Sequence, residues 1–353
     1  MTKIKRQHFL PNFIIKRWST KIQDKSFFNI LKYNEKNSEI VEIRSQDDPF
    51  FRNYFYESNT AGFDFNEIEI KLGKIEQKYY TISENIIGNW KKYNTIRITR
   101  SDLLIIKLFM IVQMARSESQ IISSNDLDGD FLFNNLMEKY SPQDIKDAQL
   151  KNLNFYYLLF ESIENKQYNG NLDSILPNDE YYKSELFIRQ AIRVLENFLK
   201  YTFLNFSEID TNETNKKYIL TDHGPIYAAG TITHTPLVHF YPLTPTICLS
   251  LTNKFLEENT YTEKIFHADK KIFNSNFELE DIWKRNYRVK YKDHKNGPHL
   301  DDEFIYNKNI FSERQIKVIN GITKVQVKNY LIFINEQDYT DVAPSYRSED
   351  VLK

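Results

Sequence analysis

Residues 103–114 read LLIIKLFMIVQM, the longest apolar run of the chain, and Lys107 is the one charge within it. Thr99 precedes the run and can cap a helix, with Asp102 three residues further on. A helix that is apolar on nearly every side is a buried helix. The run is also too short to cross a bilayer. We therefore expect it to form the central core helix of the fold.

The segments around this helix carry their own periodicities. Apolar residues at three- and four-residue steps predict a helix over residues 65–90. The sequence Ser-Pro-Gln-Asp at residues 141–144 is typical of a helix start. Residues 181–200 form an amphipathic pattern, and residues 27–33 and 39–43 flank a turn as in a β-hairpin. Short strands bounded by turn residues are predicted at 202–206, 217–221, 237–241, 246–251 and 330–334.

These patterns predict one large α+β domain over residues 1–353. Short strands occupy residues 5–60, residues 65–203 are mainly helical, and residues 204–340 are mainly β. We expect the helical middle to pack on a mostly antiparallel sheet built from the N- and C-terminal segments.

Composition limits the possible functions. The chain of 353 residues is 41% hydrophobic and 27% charged, as in soluble globular proteins. A net charge of −1 provides no overall field to steer the protein onto nucleic acid. The single cysteine, Cys248, excludes an internal disulfide and a multi-cysteine zinc site. No signal peptide pattern is present, so we expect a cytoplasmic protein with no membrane partner. Walker, dinucleotide-binding and His-Glu-x-x-His motifs are also absent from the sequence.

The N-terminal end, KRQHFLPNFIIKRW at residues 5–18, is unusually apolar for a chain end. His8 lies within it, and histidine is the side chain that exchanges protons near neutral pH. Two interpretations remain open. His8 is a general acid or base, or it bonds to the backbone and holds this segment on the core.

Glu69 and Glu76 are seven residues apart on a predicted helix, so both project from one face, about 10 Å apart along the axis. Carboxylate oxygens suit hard cations, and the pair is a candidate site for Mg²⁺ or Mn²⁺. Alternatively, this is a solvated face on which Lys71 and Lys74 supply ordinary ion pairs.

Three further residues are candidates for chemistry. Arg116 ends the apolar helix, where it could bind a phosphate or carboxylate, or interact with the helix's own carbonyl end. Asp222 and His223 follow a predicted strand and precede a Gly-Pro turn. Asp222 could orient His8 or His223 or bind a metal, or it could close the strand as an Asx-turn residue.

A basic segment interleaved with aromatic residues covers residues 283–295. In an extended strand, alternation places Lys284, Arg288, Lys290 and Lys292 on one face, which suits a nucleic-acid backbone. The alternative is an edge strand whose lysines prevent aggregation.

The order of these landmarks resembles the bacterial family called domain of unknown function 4238. The resemblance rests on QHFLP at residues 7–11, EIKLGKIE at 69–76, QMAR at 113–116, ILTDHGP at 219–225 and FYPLTP at 240–245. The family usually has a Ser-Asp-Asn-Pro-like turn, whereas this chain has Thr-Asp-His-Gly-Pro. The resemblance implies no established common reaction, but it implies an association of some members with bacterial defence against phage.

Two functional hypotheses follow. In the first, the protein is a toxic nuclease that cleaves RNA on infection, with His8 as acid or base, Arg116 stabilising phosphate charge, and Asp222 orienting His8 or sharing a metal with Glu69 or Glu76. In the second, it is a non-catalytic sensor that binds a phage protein, RNA or DNA, and its landmark residues mostly determine the fold.

Overall fold

A computed structural model describes most of the chain in eleven segments: residues 6–22, 25–32, 39–44, 49–116, 140–184, 187–222, 224–229, 236–254, 284–293, 298–327 and 329–342. Everything below concerns these residues. No helix within them is long and apolar enough to cross a membrane.

Helix α3 (Arg100–Ala115) contains the apolar run and is buried along nearly its whole length. Its N-terminus is capped as predicted, since Thr99 Oγ1 accepts a hydrogen bond from the Asp102 backbone at 3.1 Å. Lys107 is buried within it and donates to the carbonyl oxygens of Leu199 and Thr202, at 3.2 and 2.7 Å. The prediction of a central core helix is confirmed.

Two long helices pack against α3. Helix α2 (Glu67–Trp90) contacts it through Tyr79, whose ring stacks on Phe109 with centroids 3.7 Å apart. Helix α4 (Pro142–Glu164) begins with a capping box formed by Ser141 and Asp144, as its sequence predicts.

The predicted helix over 181–200 forms from Phe187 onward. The chain makes a 3₁₀ turn at Glu180–Lys183, a π-turn at Ile188–Ile192 and helix α5 at Arg193–Tyr201. Ser184 has extended backbone angles, which end the first turn and prevent a continuous helix. The remaining helical elements are short or C-terminal: α1 (Asn12–Ile15), 3₁₀ turns at Lys16–Trp18 and Asp173–Ile175, α6 (Glu313–Val325) and α7 (Gln337–Thr340).

Within the described segments the strands form four sheets, and every pairing except β14–β7 is antiparallel. The strands are β1 (Arg6–His8), β2 (Thr20–Ile22), β3 (Lys25–Lys32), β4 (Glu39–Arg44), β5 (Phe51–Asn53), β6 (Thr95–Thr99), β7 (Thr202–Ile209), β8 (Leu220–Thr221), β9 (Ile226–Ala229), β10 (Pro236–Thr244), β11 (Ile247–Asn253), β12 (Tyr287–Lys290), β13 (Glu303–Asn307), β14 (Asn309–Phe311) and β15 (Tyr330–Phe333).

The sheets differ in which parts of the chain they join. Their strand orders are β1-β5, β14-β7-β11-β10-β9, β12-β13-β6 and β2-β3-β15-β8, with β4 also paired to β3 as the predicted hairpin. The α+β class and the antiparallel preference are confirmed. The predicted sheet built from both chain ends corresponds to the β2-β3-β15-β8 sheet, in which N-terminal β3 pairs with C-terminal β15.

The apolar N-terminal segment packs into the main core. Phe9, Leu10, Ile14 and Ile15 are buried there, and Trp18 Nε1 donates to the Tyr218 carbonyl at 3.0 Å. This docking carries His8 to the N-terminal end of α2.

Candidate functional site

A buried ion pair connects the end of α3 to α2. Arg116 follows the last residue of α3, and its Nη1 donates to Glu76 Oε1. The guanidinium has no exposed surface, while the Glu76 side chain is 26% exposed. Burial opposes the charged form, but the attraction of Glu76, Tyr56 and Glu69 outweighs it and raises the pKa of Arg116. Arg116 is therefore a permanent buried cation that is paired with the Glu76 carboxylate.

Glu69 lies two turns before Glu76 on the same helix and is partly buried. Burial, helped by the negative charges of Glu76 and Glu57, raises its pKa to about 7 against the opposing positive charges of Arg116 and His8. The carboxyl group therefore exists in both protonation states near neutral pH. Such a group can donate or accept a proton in catalysis.

His8 reaches this cluster through its neighbour Gln7. The Gln7 side chain is wholly buried, donates to Glu57 Oε1 and accepts from the Tyr56 backbone, both at 2.7 Å. The Tyr56 hydroxyl donates to the His8 carbonyl at 3.0 Å. Side-chain bonds of Gln7 thus anchor this segment beside His8, and the partly exposed imidazole lies in electrostatic range of Glu69. Both interpretations of His8 stay predictions.

The Asp222 turn lies beside the last turn of α3. Asp222 is buried, and its backbone donates to the Tyr330 carbonyl at 3.2 Å. Gly224 has φ +89°, and a Cβ added there would lie 2.8 Å from the Cβ of Gln113. Gln113 is three residues before Arg116, so the turn packs close to the site. A role of Asp222 in orienting His8 stays a prediction, and His223 lies outside the described residues.

An open groove of about 490 Å³ begins at Glu76. Phe13 and Tyr80 line it with their rings 5.3 Å apart, and Lys16 adds an exposed positive charge. Arg17, also in its wall, donates to Ser83 Oγ at 2.5 Å and Glu84 Oε1 at 2.9 Å. The groove therefore offers aromatic surface and a cation beside a carboxylate, which suits a flat ligand that carries negative charge.

The two carboxylates of α2 that were predicted to bind a metal, Glu69 and Glu76, lie beside the positive charge of Arg116. Lys71 donates to Glu67 Oε1 at 2.5 Å and Lys74 donates to the Tyr157 hydroxyl at 2.7 Å, so these two bonds are not made to Glu69 or Glu76. Arg116 is the positive group beside these two acids. Its fixed charge makes the approach of Mg²⁺ or Mn²⁺ less favourable, and in the described part of the chain no three His, Cys, Asp or Glu side chains form a metal-binding group. The arrangement does not fit a metal well, and we derive no step through one.

Comparison with known proteins places the chain in a family. The family described as protein of unknown function (DUF4238) matches residues 6–337, nearly the whole chain. The chain belongs to the DUF4238 family. No curated protein and no solved structure gives a match. The resemblance read from the sequence landmarks is thereby confirmed.

The basic segment of this DUF4238 protein forms an edge strand. In β12, Arg288 and Lys290 are exposed while Tyr287 and Val289 turn inward, as the alternation predicts. Lys284 is exposed as well. Lys292 pairs with Asp301 at 2.5 Å and Lys290 lies 3.7 Å from Glu303, so acids partly neutralise two of the four predicted nucleic-acid contacts.

Sequence reasoning missed Tyr56 and Glu57 as members of this site, whereas Gln7 belongs to the QHFLP landmark at residues 7–11. Tyr56 lies outside the landmarks of the resemblance, and a tyrosine near the chain's N-terminal strands gives no signal of a site in the sequence alone. Glu57 is one acid among many and is recognisable only because the folded chain places it against Gln7 and the Asn66 backbone.

Proposed function

We propose that this DUF4238 protein is a toxic ribonuclease that cleaves phosphodiester bonds in bacterial defence against phage. The observation that supports the chemistry is the convergence of His8, Glu69 and the Arg116–Glu76 pair from three separate segments at one partly exposed place. The defence setting rests on the family resemblance alone.

The proposed reaction needs one base and one acid. The base removes the proton from a ribose 2′-hydroxyl, whose oxygen attacks phosphorus, and the acid protonates the departing 5′-oxygen. A 2′,3′-cyclic phosphate and a free 5′-hydroxyl result. His8 and Glu69 supply the two proton-transfer groups, since imidazole is the commonest general acid or base in enzymes and the Glu69 carboxyl has a pKa of about 7. DNA lacks the 2′-hydroxyl and is not a substrate of this route.

Arg116 and Glu76 have supporting roles. The buried guanidinium adds a fixed positive potential where negative charge builds up on the phosphate. Glu76 holds that guanidinium in place and forms the start of the groove, where Phe13 and Tyr80 could contact a base.

The direct test is cleavage of labelled RNA by purified protein, with and without EDTA. We expect His8→Ala and Glu69→Gln each to lower the rate by about a hundredfold or more, whereas the exposed-surface control Glu42→Gln retains it. The product should carry a cyclic phosphate, and EDTA should have no effect. Full activity of a folded His8→Ala protein would remove the proposal.

A cellular experiment tests the defence setting. RNA and DNA integrity is followed in bacteria that express the wild type, His8→Ala or Asp222→Ala, before and after phage infection. RNA cleavage that occurs only with the wild type and only after infection is the expected result. Intact RNA together with preserved protection contradicts the nuclease assignment.

A non-catalytic sensor is the second candidate, and the full burial of Arg116 favours it, because a buried paired guanidinium can serve the fold alone. In that case His8→Ala leaves protection unchanged. If nucleic acid is the recognised partner, charge reversal at residues 284–295 abolishes protection.

A further inference from the structure

The β12-β13-β6 sheet has one buried and one outward face. Phe304, Tyr306, Ile96 and Ile98 are buried on the inner side. On the other side, the strand registers define three rows of neighbouring residues across the sheet. Each row contains one residue of β12 or the residue just before it, one of β13 and one of β6. The rows are Asn286–Asn307–Thr95, Arg288–Ile305–Arg97 and Lys290–Glu303–Thr99.

The central row places two arginines on either side of Ile305. Arg97 and Arg288 are both exposed and line one open cavity of about 470 Å³. Strands lie about 4.8 Å apart, so their Cα atoms are about 10 Å apart. Within the described chain neither guanidinium pairs with an acid, and the one acid in the three rows, Glu303, lies opposite Lys290.

Two guanidiniums without an acidic partner in the described chain share one strand row. Glu303, the one acid of the three rows, lies in the neighbouring row opposite Lys290 and not beside either arginine. A planar guanidinium matches the oxygens of a phosphate in a bidentate geometry. The row therefore has the charge and spacing to hold a phosphodiester backbone across the sheet.

Groups suited to bases lie next to these charges. Tyr291 follows β12, is 44% exposed and lines the same cavity as Arg97 and Arg288. An exposed aromatic ring can stack on a base, but only on a base that is not already stacked in a duplex. The amides of Asn286 and Asn307, bonded to each other at 3.0 Å, line an adjoining cavity and offer polar contacts.

We propose that the Arg97–Arg288 row and Tyr291 form a binding surface for single-stranded RNA. Arg97 comes from the segment after α2, so this surface differs from the basic strand that the sequence alone suggested. It is also separate from the site at His8, because Glu76 and Trp90, the last residue of α2 before β6, are about 21 Å apart along the helix. The inference extends the proposed function to a substrate-holding surface, but binding tests it independently of cleavage.

The experiment measures fluorescence anisotropy of a labelled 2′-O-methyl oligouridylate of about 15 nucleotides. This probe lacks the 2′-hydroxyl that the proposed reaction needs, so cleavage cannot disturb the measurement. The test variant is Arg97→Glu/Arg288→Glu. Its control, Lys25→Glu/Arg193→Glu, makes the same charge change at two exposed positions on other elements. A milder Arg97→Gln/Arg288→Gln variant and thermal unfolding curves separate lost contacts from lost folding.

We expect the test variant to bind about tenfold more weakly or worse, and the control to bind within about twofold of wild type. The slope of log K against log salt should fall by about 1.4, since two phosphate contacts are removed at about 0.7 each for a single strand. Tyr291→Ala should weaken binding without changing that slope.

Equal affinity of the test variant and its control would overturn the proposal, as would tighter binding of a duplex than of the single strand. If wild-type protein binds the probe but cleaves no RNA, the binding surface is supported and the nuclease proposal is contradicted. If the test variant binds as tightly as wild type and still cleaves RNA, the nuclease proposal is supported and the binding surface is contradicted.

Discussion

The Arg116 guanidinium, without exposed surface, donates to Glu76 Oε1, and the Glu76 side chain extends from this bond to an open groove. One ion pair thus joins the buried end of α3 to solvent. The same cation also acts on Glu69, the second acid on this face of α2, because the Arg116 charge lowers the pKa of Glu69 against the effect of burial.

Loss of Arg116 is expected to be costly. Arg116→Met leaves Glu76 beside Glu69 with no buried cation, and breaking one partner of a buried pair costs about 3–5 kcal/mol of unfolding free energy. The control Lys200→Met breaks the exposed Lys200–Glu196 pair and should cost less than about 1 kcal/mol. Urea unfolding measures both. Addition of Glu76→Gln should recover part of the Arg116→Met loss, and a double variant that is no more stable than the single would contradict the coupling.

Stability should depend on pH through Glu69. Its folded pKa of about 7 lies above the ordinary 4.5, so the folded state binds the extra proton between these values and stability falls as pH rises through that window. Below about pH 4.5 the penalty is absent, and above about pH 7 it is complete, at about 3 kcal/mol. Glu69→Gln should therefore gain on wild type at pH 8 and not at pH 4, as thermal unfolding at both values would show. The exposed Glu42→Gln variant serves as control, and a Glu69→Gln gain that is the same at both pH values would contradict the assignment.

Two glycines with the same backbone conformation should respond differently to alanine. Gly224 has φ +89° and Gly170 has φ +92°, so both substitutions strain the backbone by about 1–2 kcal/mol. A Cβ at Gly170 meets nothing within 4 Å, whereas at Gly224 it meets Gln113 Cβ at 2.8 Å. Gly224→Ala should therefore cost about 1–3 kcal/mol more than Gly170→Ala by chemical denaturation. Equal costs would mean that the turn is not packed on α3.

Two buried tryptophans, Trp18 and Trp90, allow a second comparison of matched substitutions. Trp18 Nε1 donates to the Tyr218 carbonyl, while Trp90 Nε1 has no hydrogen-bond acceptor in the described chain. Both side chains are 0–1% exposed, so replacement by Phe removes comparable apolar contact. Trp18→Phe should lose about 1 kcal/mol more than Trp90→Phe, because it also removes a buried hydrogen bond. A larger loss for Trp90→Phe would argue against N-terminal docking through this bond.

Local patterns predicted the elements whose cause is local. The Thr99 cap, the Ser141 capping box and the 27–43 hairpin each depend on side chains within a few residues of one another. The helix predicted over 181–200 forms from Phe187 onward and was wrong at residues 181–184, because the apolar spacing continues through Ser184, where the backbone becomes extended. A period detects a buried face and does not detect a break in the backbone.

The sequence by itself determined the α+β class, the buried α3 and the side-chain types available for chemistry, since periodicity and capping are properties of neighbouring residues. Only the tertiary structure decided that Arg116 pairs with Glu76 across 40 residues, that Gln7 anchors His8 against Glu57, and that Arg97 stands in one row with Arg288. The raised pKa of Glu69 is likewise tertiary, because burial and the charges of distant residues create it. These relationships depend on which helices and strands pack against one another, and the sequence around each residue does not indicate which distant segment it will contact.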